Sequence, residues 1–148
     1  MVKDSIERDI VIAAPPERVW DVITQAEHLG TWFADNGAEI DLRPGGALTL
    51  HWKEHGTSRG RVETVEQPTT FAFRWLLVGD GSPAEGNSTL VEFTLSPEGD
   101  QTRLRVVESG FSRLDVPVEE QEKHVAEHTG GWRHELAELH GYLATSAA

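Results

Sequence analysis

Apolar and polar side chains alternate from the start of the chain. Over residues 6–13, Ile6, Arg8, Ile10 and Ile12 share one face, and Glu7, Asp9 and Val11 share the other, which predicts a strand. Ala14-Pro15-Pro16 stops it. Pro16 suits the first turn of a helix, and Pro16, Val19, Trp20 and Ile23 then form one helical face. Thr24-Gln25-Ala26-Glu27 has the spacing of a capping box, so a second short helix is expected at once, with Leu29, Trp32 and Phe33 as its apolar side.

Six further strands are expected. Ala38–Leu42 is short, and Pro44-Gly45-Gly46 turns the chain into Ala47–Glu54, where Leu48, Leu50 and Trp52 alternate with Thr49, His51 and Lys53. Glu54–Ser58 reads as a hairpin turn, followed by strands over Gly60–Val65 and Thr70–Leu77. In the latter, Phe71, Phe73 and Trp75 lie on one face. Gly79–Ser88 is a polar, Gly-rich loop. Thr89–Leu95 turns Val91, Phe93 and Leu95 to one side. After a turn over Ser96–Gln101, Thr102–Ser109 pairs back with Leu104, Val106 and Glu108 on a common face. The longest helical pattern runs from Pro117 to Leu143. Val125, Trp132, Leu136, Leu139 and Leu143 repeat at helical spacing, and His128 extends that stripe one turn before Trp132.

This order predicts an α+β domain over residues 1–148: a curved antiparallel sheet wrapped around a long C-terminal helix, with two short helices after the first strand. The 148 residues fit one domain with no internal repeat. No cysteine is present, so disulfide and thiol chemistry are excluded, and a cytoplasmic location is expected. The first residues hold no apolar run of signal-peptide length, and no stretch approaches a membrane span. The formal net charge of −12 disfavours nucleic acid and anionic membrane as partners.

The layout resembles the START-like superfamily (SRPBCC), the helix-grip fold of the Bet v 1 allergens. Within it the chain is most similar to the bacterial branch homologous to the C-terminal domain of the Hsp90 ATPase activator. The resemblance rests on IERDIVIAAPPERVWDVIT at 6–24, LGTWF at 29–33, RPGGALTLHW at 43–52 and GRVETVEQPTTFAFRW at 60–75. It continues through STLVEFTLSPEGDQTRLRVVESGF at 88–111 and GGWRHELAELHGYL at 130–143. It implies a fold and a cavity rather than one chemistry, because members bind lipids, hormones and polyketides and some are catalysts.

Several residues bear on chemistry. Gly130-Gly131 interrupts the helical pattern and reads either as a kink or close approach that shapes the cavity beside Trp132 or as tight packing on the sheet. His124-Val-Ala-Glu127-His128 matches the H-x-x-E-H pattern of a zinc protease, but no third ligand is evident, so no metal is expected. His128 reads as a polar lining of the pocket mouth or as part of a solvated helix face. Glu108 is either a carboxylate in apolar surroundings, with its pKa raised by desolvation, or a strand-end group beside Ser109-Gly110 that reaches water; its position favours the second. Five Trp residues form either a thick core or a ligand-contacting wall.

The expected ligand-contacting set is Trp32, Trp52, Phe73, Trp75, Phe93 and Trp132, with Glu108 and His128 as polar anchors and no cofactor. Three functions compete. One is a binder of a small hydrophobic or aromatic molecule. The second, implied by the resemblance, is a partner of an Hsp90-type chaperone, although the chain lacks room for the activator's separate N-terminal domain. The third is a cavity enzyme of cyclase or hydrolase type working through Glu108 and His128. Monomer and homodimer both remain open.

Overall fold

The structure, a computed structural model, describes residues 2–54, 56–79 and 81–145. Seven strands form one antiparallel sheet: β1 (Ser5–Ile12), β2 (Ala38–Ile40), β3 (Ala47–Trp52), β4 (Gly56–Glu66), β5 (Thr70–Leu76), β6 (Ser88–Glu98) and β7 (Gln101–Ser109). Their spatial order is β1-β7-β6-β5-β4-β3-β2. All strands from β2 to β7 therefore pair with their sequence neighbours, and β1 closes the far edge against β7. The helices are α1 (Pro16–Thr24), α2 (Ala26–His28) and the long α3 (Val118–Thr145). This is the expected α+β architecture, a curved sheet gripping a C-terminal helix.

The period-2 patterns set which residues face α3. On β7, Leu104, Val106 and Glu108 are all buried, as are Phe71, Phe73 and Trp75 on β5 and Val91, Phe93 and Leu95 on β6. Trp132, Leu136, Leu139 and Leu143 of α3 meet them from the other side. Hydrogen bonds anchor α3 at both ends. Gln121 Nε2 donates to the carbonyl of Leu114 at 2.8 Å, and the Tyr142 hydroxyl lies 2.6 Å from His28 Nδ1 on α2.

Four details depart from the pattern-based reading. The capping box does not form, because the Thr24 hydroxyl turns back to the Trp20 carbonyl at 2.7 Å. The second helix is one turn of α-helix that widens into a π-helical turn at Leu29–Phe33. Gly30 permits this, since a Cβ there would lie 2.8 Å from the backbone of Gly37 and Ala38. β4 begins at Gly56 and β6 reaches Glu98, so both strands outrun their apolar stretches because ladder pairing continues. Finally, α3 is unbroken through Gly130-Gly131. A Cβ at either glycine would meet nothing within 4 Å, so the glycines serve neither a close approach nor tight packing on the sheet. Residues 55 and 80, in the expected 54–58 turn and 79–88 loop, lie outside the described residues.

Candidate functional site

Glu108 is the centre of the site. It sits near the end of β7, paired across to Ile6 of β1 and Val91 of β6, and its side chain has no exposed surface. An ionised carboxylate taken out of water loses several kcal/mol of solvation, so its oxygens must be satisfied. Four donors do this with five hydrogen bonds. Trp132 Nε1 donates to Oε1 at 2.8 Å, and Trp75 Nε1 donates to Oε2 at 2.8 Å. The Thr89 hydroxyl donates to Oε2 at 2.5 Å. His128 Nδ1 lies 2.8 Å from Oε1 and 2.9 Å from Oε2. Charge-assisted hydrogen bonds of this kind contribute about 1.5–3 kcal/mol each, enough to offset the burial.

The donors come from three elements, and their placement is local. Thr89 and Trp75 face each other across β6 and β5, and Trp75 Nε1 also reaches the Thr89 hydroxyl at 2.9 Å. His128 and Trp132 are one helical turn apart on α3, so one face of the helix presents both N–H groups to the same carboxylate. The carboxylate therefore ties the sheet to the helix. Burial is the largest influence on the Glu108 carboxyl and pushes its pKa up. The hydrogen bond and charge of His128, with the hydrogen bonds from Thr89 and Trp132, outweigh it and hold the carboxyl below its ordinary value. Both expectations for Glu108 are thereby corrected: it does not reach water, and desolvation does not win. It has no exposed surface and does not line the cleft that lies above it.

Above this group lies a cleft of about 490 Å3 between α3 and the β3–β5 end of the sheet. Phe33, Trp52, Trp75 and Trp132 form its aromatic walls, and Ser58, Leu77, His124, Glu127, His128, Gly131, His134 and Glu135 complete it. Phe33 is the hub. Its ring stacks on Trp75 (5.7 Å, 17°) and on Trp132 (5.6 Å, 15°) and meets the edge of Trp52 at 5.2 Å. Gly131 leaves room where any other residue would project, since nothing lies within 4 Å of the position its Cβ would take.

Of the eight residues expected to contact a ligand, Trp52, Trp75, His128 and Trp132 line this cleft. Trp32, Phe73, Phe93 and Glu108 do not. Trp32 is buried with its indole N–H on the Val22 carbonyl at 2.8 Å. Phe73 and Phe93 lie deeper, packed against each other and against Phe71. Phe33 and Glu135 were not anticipated. The π-helical turn brings Phe33 to the cleft, whereas Glu135 follows Trp132 by three residues on the same helical stripe, a spacing visible in the sequence. Glu135 is half-buried, and its Oε2 is sealed from solvent without a hydrogen-bond partner. Burial, then the charges of Glu138 and Asp35, push its carboxyl up to about 8.

Among the described residues no cluster of three or more His, Asp or Glu residues could hold a metal ion. The His124 and His128 rings meet edge to face at 6.1 Å, and His128 Nδ1 is committed to Glu108. Burial, followed by the charge of His128, lowers the pKa of His124. No described helix is long and apolar enough to cross a membrane.

The family model described as activator of Hsp90 ATPase homolog 1-like protein matches residues 13–144. No curated protein matches the chain. Among solved structures, protein MLL2253 of Mesorhizobium loti aligns with a TM-score of 0.80 at 22% identity, over 96% of this chain and 98% of that one. PFC0360w, an Hsp90 activator of Plasmodium falciparum, aligns with a TM-score of 0.74 at 20% identity, over 96% of this chain and 97% of that one. At these identities the likeness is one of fold. CalU16 of Micromonospora echinospora aligns with a TM-score of 0.69 at 26% identity, over 91% of this chain and 73% of that one.

Glu108→Gln tests the buried carboxylate. The amide keeps one acceptor but turns an NH2 group toward an indole N–H that already points at it. Unfolding in urea should show a loss of about 3–5 kcal/mol. Because the folded carboxyl lies below its ordinary value of 4.5, its stabilisation is present above that value and disappears as pH falls through the lower folded one. The Gln variant should therefore lose the part of the acid-induced fall in stability that Glu108 contributes.

Proposed function

The chain belongs to the activator of Hsp90 ATPase homolog 1-like family, and on that premise we propose that it binds a small hydrophobic or aromatic molecule in the cleft between sheet and C-terminal helix. The observation that carries this reading is the aromatic box itself. Four aromatic rings border a space of about 490 Å3, within the roughly 300–1,000 Å3 usual for small-molecule sites. Three features keep that space available. Trp75 and Trp132 are held by hydrogen bonds to Glu108, so their indoles do not collapse inward. Phe33 is delivered by the π-helical turn, a feature often found at functional sites. Gly131 contributes no side chain, at a helix-interior position where Gly costs about 1 kcal/mol relative to Ala.

A planar apolar ligand lying against these rings gains about 25 cal/mol per Å2 of apolar surface removed from water, less the cost of ordering it. Ring stacking and the hydrogen bonds to Glu108 orient the walls before a ligand arrives, which lowers the ordering cost of binding.

The family's description favours a second reading, contact with an Hsp90-type chaperone. A chain of net charge −12 would seek a basic patch, and the association would weaken with salt. Adding the protein to a purified Hsp90 should then raise its ATPase rate, with the effect shrinking as ionic strength rises. An unchanged rate at low salt counts against this reading and leaves the cleft untouched.

Gly131→Leu tests ligand binding without disturbing Glu108. The new side chain enters open space and replaces a helix-interior glycine, so Tm should hold or rise. It should displace on the order of 60 Å2 of ligand contact, or about tenfold in affinity. Fluorescence titration with 2-naphthylmethanol should show binding to the native protein and about tenfold weaker binding to the variant. Equal affinities would place the bound molecule elsewhere.

A further inference from the structure

The cleft is apolar in its walls but not in its charge. Glu127 and Glu135 line it, and no Lys or Arg does so among the described residues. Glu135 Oε2 is shut away from solvent and has no hydrogen-bond partner. The groups acting on it are acidic: Glu138 on α3 itself, and Asp35 on the segment following the π-helical turn. The sheet brings Trp52, Ser58 and Trp75 to the cleft, none with a charge to offer. The histidines are occupied elsewhere. His128 is bonded to Glu108, and His134 Nε2 lies 3.8 Å from Glu138. His124, its pKa lowered by burial and by the charge of His128, supplies no fixed cation.

A carboxyl group beside the faces and edges of four aromatic rings, with no cation of its own, is chemically incomplete. Aromatic faces attract cations through their quadrupole, and an unpartnered carboxylate attracts them through its charge. We propose that the cleft takes an organic cation, an amine whose ammonium is met by Glu135 and whose apolar body lies against Phe33, Trp52, Trp75 and Trp132. This inference rests on the cleft being a ligand site and specifies the ligand's charge.

A proton accompanies the exchange. In the free protein the Glu135 carboxyl is raised to about 8, so near neutral pH it is mainly protonated. A bound ammonium favours the carboxylate and expels that proton. Binding of the amine therefore releases up to one proton, and its affinity rises with pH until Glu135 is ionised in the free protein at about 8. A ligand that instead accepted a hydrogen bond from the neutral acid would bind less tightly as pH rose.

Two probes of the same shape separate these cases: 2-naphthylmethylamine, a cation, and 2-naphthylmethanol, its neutral counterpart. Isothermal titration of the native protein near pH 8 should show the amine binding about tenfold more tightly than the alcohol. That preference should shrink toward about pH 6, and the heat should vary between buffers as proton release requires. Glu135→Gln should lose the preference for the amine over the alcohol. Binding of the alcohol with no amine preference, or a preference that survives Glu135→Gln, overturns the cation inference alone. Failure of both probes to bind the native protein overturns it together with the apolar-cleft reading.

Discussion

A carboxylate with no exposed surface is tolerated only where other groups replace its water. Glu108 meets that condition through two indole N–H groups, one hydroxyl and one imidazole, drawn from β5, β6 and α3. Each donor is also satisfied by the arrangement, since an indole N–H buried without an acceptor carries a desolvation penalty of its own. The interaction is directional, unlike the surrounding apolar contacts. It sets the rotation of α3 about its axis and the orientation of both indole rings. A core of leucine and phenylalanine alone would bury similar area without fixing either.

The cleft follows from that constraint. With Trp75 and Trp132 pinned from below, Phe33 stacks on both rings and Trp52 closes the outer edge. The absence of a side chain at Gly131 preserves the space they enclose. Glu108 and Glu135 show how environment divides two carboxyl groups. Glu108 is the more deeply buried, yet its donors and His128 hold its pKa down. Glu135 is less buried but lacks a donor for one oxygen, so burial, followed by the charges of Glu138 and Asp35, raises its pKa to about 8. One carboxyl is wholly enclosed by the fold, and the other lines the cleft.

Much of the architecture was legible from periodicity, because one face of each strand and one stripe of α3 are buried. The shared face of Leu104, Val106 and Glu108 was readable from alternation alone. Whether Glu108 met water was not, since the answer depends on His128 and Trp132, which arrive from a helix about twenty residues later. Alternation also could not rank residues by depth. Phe73 and Trp75 share a face of β5, yet only Trp75 reaches the cleft. Trp32 and Phe33 were expected on one apolar side of a short helix; the chain instead takes a π-helical turn there, with Phe33 at the cleft and the Trp32 indole on the Val22 carbonyl. Glu135 is a different case. It stands seven residues after His128 and three after Trp132, and the stripe that located those residues extends to it.

The most direct test is indole N–H exchange at the five tryptophans by two-dimensional NMR. If Glu108 is the buried acceptor, the indole N–H signals of Trp75 and Trp132 are strongly protected from solvent exchange. Both then shift together as acid titrates one carboxyl below 4.5, and that shared titration is absent in Glu108→Gln. Rapid exchange of both protons, or shifts indifferent to Glu108, would contradict a carboxylate that holds helix and sheet together.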